Sequence, residues 1–115
     1  MANTFKVITK AGVTSADVIY TVAGSTTTVI LGLIVGNTTS SSITTTVTLG
    51  TDTSNRSGAN NEDNQAVELL TATPIPGNST LELLAGNKVV METTDTLSVT
   101  GSGAVDVALS VMEIT

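Results

Sequence analysis

Near the end of the chain, the stretch Val105-Asp106-Val107-Ala108-Leu109-Ser110-Val111 alternates between large aliphatic side chains and small or polar ones. Successive side chains of a β-strand point to opposite faces, so this period of two predicts a strand with one face in a core. A slip of one residue would exchange the two faces, and the pattern therefore also defines the register of the strand. We expect this strand to cover residues 105–114.

Two further stretches indicate the kind of sheet. Residues 43–49, Ile-Thr-Thr-Thr-Val-Thr-Leu, repeat the alternation, whereas residues 29–35 are continuously apolar apart from one glycine and predict a central strand covered on both faces. Residues 5–9 predict an edge strand. Further strands are expected at residues 17–22, 66–72, 80–85, 88–92 and 97–100. Because no helical period is present, the sequence predicts an all-β protein, a single antiparallel β-sandwich, Ig-like or jelly-roll-like, of about eight short strands.

Turn-forming residues separate these strands. Residues 36–42 are rich in Asn, Thr and Ser and predict a hairpin or a corner, residues 74–78 a turn, and Gly101-Ser102-Gly103 a hairpin turn. Residues 50–64 are polar or glycine except for Ala59 and predict a long exposed loop. The side chains expected to face the core are Leu31, Leu33, Val47, Leu83, Val89, Val107, Leu109 and Val111.

Composition limits the possible functions. The 115 residues, 40% hydrophobic and 12% charged, fit a single domain spanning residues 1–115. Histidine and cysteine are absent, which excludes Ser-His-Asp and Cys-His catalysis and zinc sites built on those ligands. Four carboxylates, Glu68, Glu82, Glu92 and Asp106, occur singly at alternating strand positions, where the ordinary role of an acidic side chain is to keep a sheet soluble. We therefore expect no enzymatic activity, no metal site and no cofactor.

The charge balance and the length of the apolar runs argue against two classes of partner, nucleic acids and membranes. The formal net charge is −6, with four cationic side chains, whereas binding of a phosphate backbone needs several Lys or Arg contacts. The longest apolar run, residues 29–35, is far shorter than the roughly 20 residues that span a bilayer. We expect no nucleic-acid partner and no membrane insertion, and synthesis in the cytoplasm.

Several strand-and-turn motifs resemble those of small virion structural proteins of tailed bacteriophages, particularly marine and cyanobacterial phages. The motifs are Met1-Ala2-Asn3-Thr4-Phe5-Lys6, Thr28-Val29-Ile30-Leu31-Gly32-Leu33, Pro74-Ile75-Pro76-Gly77, Leu83-Leu84-Ala85-Gly86-Asn87-Lys88-Val89-Val90-Met91-Glu92, Asp95-Thr96-Leu97-Ser98-Val99-Thr100 and Ser110-Val111-Met112-Glu113-Ile114. The resemblance spans nearly the whole chain. None of these motifs contains a functional residue that could be carried over.

The resemblance implies a capsid decoration (cement) protein, a β-sandwich on the outside of the head shell, made in the host cytoplasm and located in the virion. Its partner would be the major capsid protein or other virion proteins, with homo-oligomers possible; a phage neck, tail or fibre-attachment component is the alternative. For such a protein we expect residues 1–10 to act as a docking arm through Phe5, Lys6 and Lys10, because an edge strand offers unpaired backbone groups to a neighbour.

Overall fold

A computed structural model describes residues 2–51, 65–84 and 86–115, and in these ranges the regular structure is entirely β. The strands are β1 (Asn3–Val13), β2 (Asp17–Thr21), β3 (Thr27–Asn37), β4 (Ile43–Gly50), β5 (Ala66–Ile75), β6 (Thr80–Leu83), β7 (Val89–Met91), β8 (Thr96–Gly101) and β9 (Val105–Ile114). The predicted all-β class is confirmed, with nine strands in the described ranges in place of about eight.

The strands form two antiparallel sheets packed as a sandwich. The first sheet has the order β1-β9-β3-β6, with β7 also pairing β3, and the second has the order β2-β8-β4-β5. The pairing is nested, because β1 pairs β9, β2 pairs β8, β3 pairs β6 and β7, and β4 pairs β5. When β6 and β7 are taken as one interrupted strand, this is the eight-stranded jelly roll, one of the two sandwich types that the sequence left open.

The connections between strands are mostly corners that cross from one sheet to the other. Residues 38–42 join β3 in the first sheet to β4 in the second, which confirms the corner alternative for this segment. The predicted hairpin at Gly101-Ser102-Gly103 is wrong, because β8 and β9 lie in different sheets and β9 pairs β1 and β3 instead. A Cβ atom on Gly101 would clash with the carbonyl oxygens of Gly103 and Val13, so this corner requires a glycine.

The strand β3 is central, as predicted, but only one of its faces is fully covered. Ile30, Leu33 and Val35 are buried, whereas Ile34 on the opposite face is 44% exposed. A bulge between Ile30 and Gly32 adds one unpaired residue, Leu31, and so shifts the alternation by one position. The assignment of Leu31 to the core is therefore wrong, since the bulge turns Ile30 inward and leaves Leu31 only half-buried.

The rest of the predicted core is confirmed in large part. Leu33, Val47, Val107, Leu109 and Val111 are buried. Leu83 and Val89 are partly buried and pack against the core cluster. The segment predicted as a loop at residues 50–64 begins with Gly50, the last residue of β4, and its residues 52–64 lie outside the described residues. Its ends are held together, since the Thr51 backbone N–H donates to the Gln65 carbonyl oxygen at 2.8 Å.

A buried amide holds the corner after β3. Asn37 is 3% exposed, and its Nδ2 donates to the carbonyl oxygens of Ser41 at 2.8 Å, Ile75 at 2.9 Å and Pro76 at 3.2 Å. Its Oδ1 accepts from the backbone N–H and the hydroxyl of Thr39 at 2.9 and 2.7 Å. One side chain therefore ties the end of β3 to the corner loop and to the end of β5.

The bulge makes a prediction about two neighbouring leucines. Leu33→Ala should lower the free energy of unfolding by about 2–5 kcal/mol, because it opens a cavity in a fully buried site. Leu31→Ala, the matched control two residues away, should cost clearly less because Leu31 is only half-buried. Urea denaturation of both variants measures the difference, and equal losses would contradict the bulge.

The buried amide makes a second prediction. Asn37→Ala should destabilise the protein by about 3 kcal/mol or more, because each buried polar group left without a partner costs about 1–3 kcal/mol. Asn3→Ala, on the exposed part of β1, is the control and should change the unfolding midpoint little. A variant at position 37 as stable as the wild type in denaturant would show that water satisfies the corner equally well.

Candidate interaction surface

The strand β1 forms one edge of the first sheet. Among the described residues it is hydrogen-bonded along one side only, to β9, in a register that runs from Asn3 opposite Ile114 to Val13 opposite Val105. Residues 3–10 of the expected docking arm belong to this strand. Its outer edge presents unpaired backbone N–H and C=O groups along a long strand, which is the arrangement that a further strand can complete.

The three residues expected to dock a partner lie on the two faces of β1. Phe5 is 70% exposed and points to the outer face of the sheet, opposite Met112 on β9. Lys6 and Lys10 lie opposite the buried residues Val111 and Val107, so both point to the inner face at its margin. The structure thus separates the apolar side chain from the two lysines.

Both lysines already have acidic partners within the chain. Lys6 Nζ lies 2.9 Å from Glu113 Oε1, and Lys10 Nζ lies 3.9 Å from Asp17 Oδ2. The second pair is about half-exposed on both sides and is of the kind that contributes little to stability. Positive charge on β1 is therefore partly neutralised, and docking through Phe5, Lys6 and Lys10 stays a prediction.

The Lys6–Glu113 pair belongs to a polar cluster that joins the two sheets. Tyr20, on β2 of the second sheet, donates its phenolic hydrogen to Glu113 Oε2 at 2.5 Å. Since that hydrogen is used, the 2.8 Å contact between Tyr20 and Thr28 is one in which the Thr28 hydroxyl donates. Four strands, β1, β2, β3 and β9, meet in this cluster.

The cluster shifts two titrations in opposite directions. Burial, together with the hydrogen bond to Glu113, raises the pKa of Tyr20 to about 12. Hydrogen bonds from Tyr20 and Lys6 lower the pKa of the Glu113 carboxyl below its ordinary value. Near neutral pH the cluster therefore holds a neutral phenol, an ionised carboxylate and an ammonium group, a structural arrangement that anchors β1 to the sandwich.

An apolar row crosses the outer face of the first sheet. Cross-strand partners share a face, so the register places Phe5, Met112, Val29 and Val90 in one row across β1, β9, β3 and β7. We call these four residues the apolar ridge. Phe5 and Val90 are 70% and 56% exposed. Val7, one row further along β1, is 63% exposed and extends this apolar surface.

A groove of about 630 Å³ lies on the same face beyond the ridge. Its floor consists of Ala108, Gly36 and Ile34 together with the charged Asp106, which pairs with Gly36. Its walls are formed by Thr9, Lys10 and Ala11 of β1 and by Ser79 and Thr80 on the opposite side. Between ridge and groove lie Ser110 and Gly32, and a Cβ atom on Gly32 would meet only open space. The face therefore has a raised apolar end and a recessed end.

This outer face was not predicted from the sequence. The signal was present in the continuous apolar run of β3, which indicated that something covers both faces of the strand. Within the isolated chain, residues of that run such as Ile34 are exposed instead.

Within residues 2–51, 65–84 and 86–115, no cluster of acidic side chains could hold a metal ion. In that part of the chain there is also no helix of the length and apolarity needed to cross a membrane.

Comparisons with known proteins give two structural similarities. No protein-family model and no curated protein matches the sequence. The fold is similar to a chain from Bacillus endospore appendages, a family of disulfide-linked pili, with 13% identity, a TM-score of 0.49, and coverage of 97% of this chain and 84% of that chain. It is also similar to a chain of the T13 viral particle of IBDV, with 11% identity, a TM-score of 0.35, and coverage of 96% and 35%.

The polar cluster predicts a stability change at high pH. Tyr20 is the only tyrosine, and its pKa is about 12 in the folded protein against about 10 when unfolded. The neutral phenol of Tyr20 therefore contributes fully to the free energy of unfolding below about pH 10. This stabilising contribution is lost as the pH rises to about 12. Phenolate absorbance and denaturant midpoints over this range measure both effects.

The variant Glu113→Gln serves as the control for this titration. It removes the negative charge but keeps the burial of Tyr20, so the pKa of Tyr20 should fall yet stay above about 10. A folded wild-type protein whose tyrosine titrates at about pH 10 would contradict the buried position of the phenol.

Proposed function

We propose that this protein is a non-enzymatic structural component of a virion that acts by binding other protein surfaces. Within that class we propose a capsid decoration protein, seated on the head shell of a tailed bacteriophage. The observation that carries the proposal is the edge strand β1, which pairs along one side only among the described residues and has Phe5 and Val7 highly exposed. The resemblance of the strand-and-turn motifs to phage virion proteins supports the context.

Edge pairing supplies the proposed mode of binding. A strand of the major capsid protein would pair with the outer edge of β1, and the main-chain hydrogen bonds would provide affinity. The exposed ammonium groups of Lys6 and Lys10 would favour an acidic surface, although Glu113 and Asp17 already neutralise part of their charge. A protein that binds only the assembled shell stabilises it by RT ln(1 + [L]/Kd), so no catalysis is needed.

The proposal predicts how purified protein behaves with undecorated heads of the phage that encodes it. The wild type should bind in a saturable, moderately salt-sensitive way and raise the resistance of the heads to heat. Deletion of residues 2–10 should abolish both effects. A milder variant, Phe5→Ser with Lys6→Gln and Lys10→Gln, should weaken binding, while Val67→Ser, an exposed apolar residue on β5, should bind like the wild type.

Circular dichroism of each variant provides the folding control, because the deletion removes the strand that covers β9. If the folded triple variant saturates heads as well as the wild type, docking through β1 is wrong. If the intact protein binds tails but not heads, the neck, tail or fibre-attachment alternative replaces the decoration proposal. Quantitative mass spectrometry of whole particles distinguishes these locations by copy number.

A further inference from the structure

The outer face of the first sheet is complementary to itself. The apolar ridge, Phe5, Met112, Val29 and Val90, lies near one end of the face, and the groove floored by Ala108 and Gly36 lies near the other end. Along β1 the ridge is level with Phe5 and the groove extends from Thr9 to Ala11. A raised feature and a recessed feature thus lie on either side of a midpoint near Val7 and Ile8.

We propose that two copies of this chain dimerise through these outer faces. The two-fold axis would lie between the two outer faces and run across the strands at the level of Ile8. A rotation about this axis would place the ridge of each copy in the groove of the other. Phe5 would then lie over Ala11 of the second copy, and Val90 over Thr80. An isologous dimer requires one patch that matches itself under a two-fold rotation, and this face meets that requirement.

The size of the face suits such a dimer. Four strand positions about 4.8 Å apart, each about ten residues long at about 3.4 Å per residue, give a flat footprint of roughly 650 Å². Side-chain relief makes the accessible area larger than this footprint. A standard stable interface buries about 800 Å² per partner, so the face is of the right order.

The distribution of charge favours a second copy on this face. Each copy carries a formal charge of −6, so two copies repel one another unless they meet where charge is scarce. Among the described strand residues of the outer face, the charged ones are Glu82 at one margin and Asp106 at one end. The proposed rotation keeps the two Asp106 side chains at opposite ends of the interface and places each of them beside Met112 of the other copy. The Oδ1 atom of Asp106 accepts a hydrogen bond from the backbone N–H of Gly12 at 2.9 Å, which satisfies part of the carboxylate there.

This dimer goes beyond the proposed function and does not depend on it. Dimerisation would cover the outward side chains Phe5 and Val7, so a copy that docks on a shell protein through Phe5 would be a monomer. Pairing of a shell protein with the backbone edge of β1 alone would be compatible with the dimer. The dimer is measured on the purified protein without heads, so the two proposals can fail separately.

Analytical ultracentrifugation of the full chain over a concentration series tests the dimer. The wild type should form dimers at micromolar concentration, more tightly at higher salt because screening weakens the repulsion between copies. Phe5→Glu in the ridge and Ala108→Glu in the groove should each raise the dissociation constant at least about tenfold. Val67→Glu introduces the same charge at an exposed apolar site on the second sheet. This control should change the dissociation constant of the dimer by less than about twofold.

Crosslinking tests the geometry of the dimer, since the sequence contains no cysteine of its own. A Val90→Cys, Thr80→Cys double variant should crosslink between copies with a short bismaleimide, because the rotation brings these positions together. Within one chain they lie about six residues apart along the strands, roughly 20 Å, which such a reagent cannot bridge. Pairing of two β1 edges would leave these positions far apart, and the control Val18→Cys, Val67→Cys should not crosslink in the face-to-face dimer.

Three results would overturn the proposal. The first is a wild-type protein that stays monomeric at every concentration. The second is a folded Phe5→Glu or Ala108→Glu variant, as judged by circular dichroism, that dimerises as well as the wild type. The third is a dimer in which the pair at positions 90 and 80 does not crosslink.

Discussion

The hydrogen bonds of the buried Asn37 side chain connect parts of the chain that the sandwich needs to hold together. The chain leaves the first sheet at this residue and must enter the second within a few residues, which exposes backbone carbonyls inside the corner. The Asn37 amide satisfies carbonyls of both the corner loop and the end of β5. An apolar side chain of similar volume would remove one donor from each of these carbonyls. The Ser41 and Pro76 oxygens would keep the Thr39 hydroxyl and the Ser79 N–H as donors, whereas the link from the end of β3 to Ile75 would be lost.

How much of the fold could be read from the sequence depended on whether the signal was local. The alternation in β9 gave its bounds and its core face, and the strands β1 to β8 were found within a few residues. Pairing could not be predicted in the same way: the turn at Gly101-Ser102-Gly103 has the composition of a hairpin, yet β9 pairs with β1 and β3, which are distant in sequence. The bulge at Leu31 likewise has only a neighbouring glycine as its sequence signal.

The candidate surface was predicted in part for the same reason. An edge position for β1 followed from its place in the sequence and its lysines, but the acidic partners of those lysines come from β2 and β9. The ridge and groove are properties of rows that run across four strands, and no single strand contains them. Gly32 and Ala108 lie in predicted strands and Gly36 in a predicted turn, and only the register shows that all three lie on the outer face of the first sheet.

The strand β1 presents two separate surfaces, and this separation bears on how a small structural protein could bind more than one partner. Its side chains alternate between the outer face and the margin of the core, while its unpaired backbone groups point sideways from the sheet. A partner on the face and a partner on the edge therefore contact different atoms of the same residues. The Lys6–Glu113–Tyr20 cluster holds the strand in place from the inner side, so neither contact requires β1 to leave the sandwich. Binding at either surface would then involve little ordering of the strand itself, which reduces the entropic cost of association.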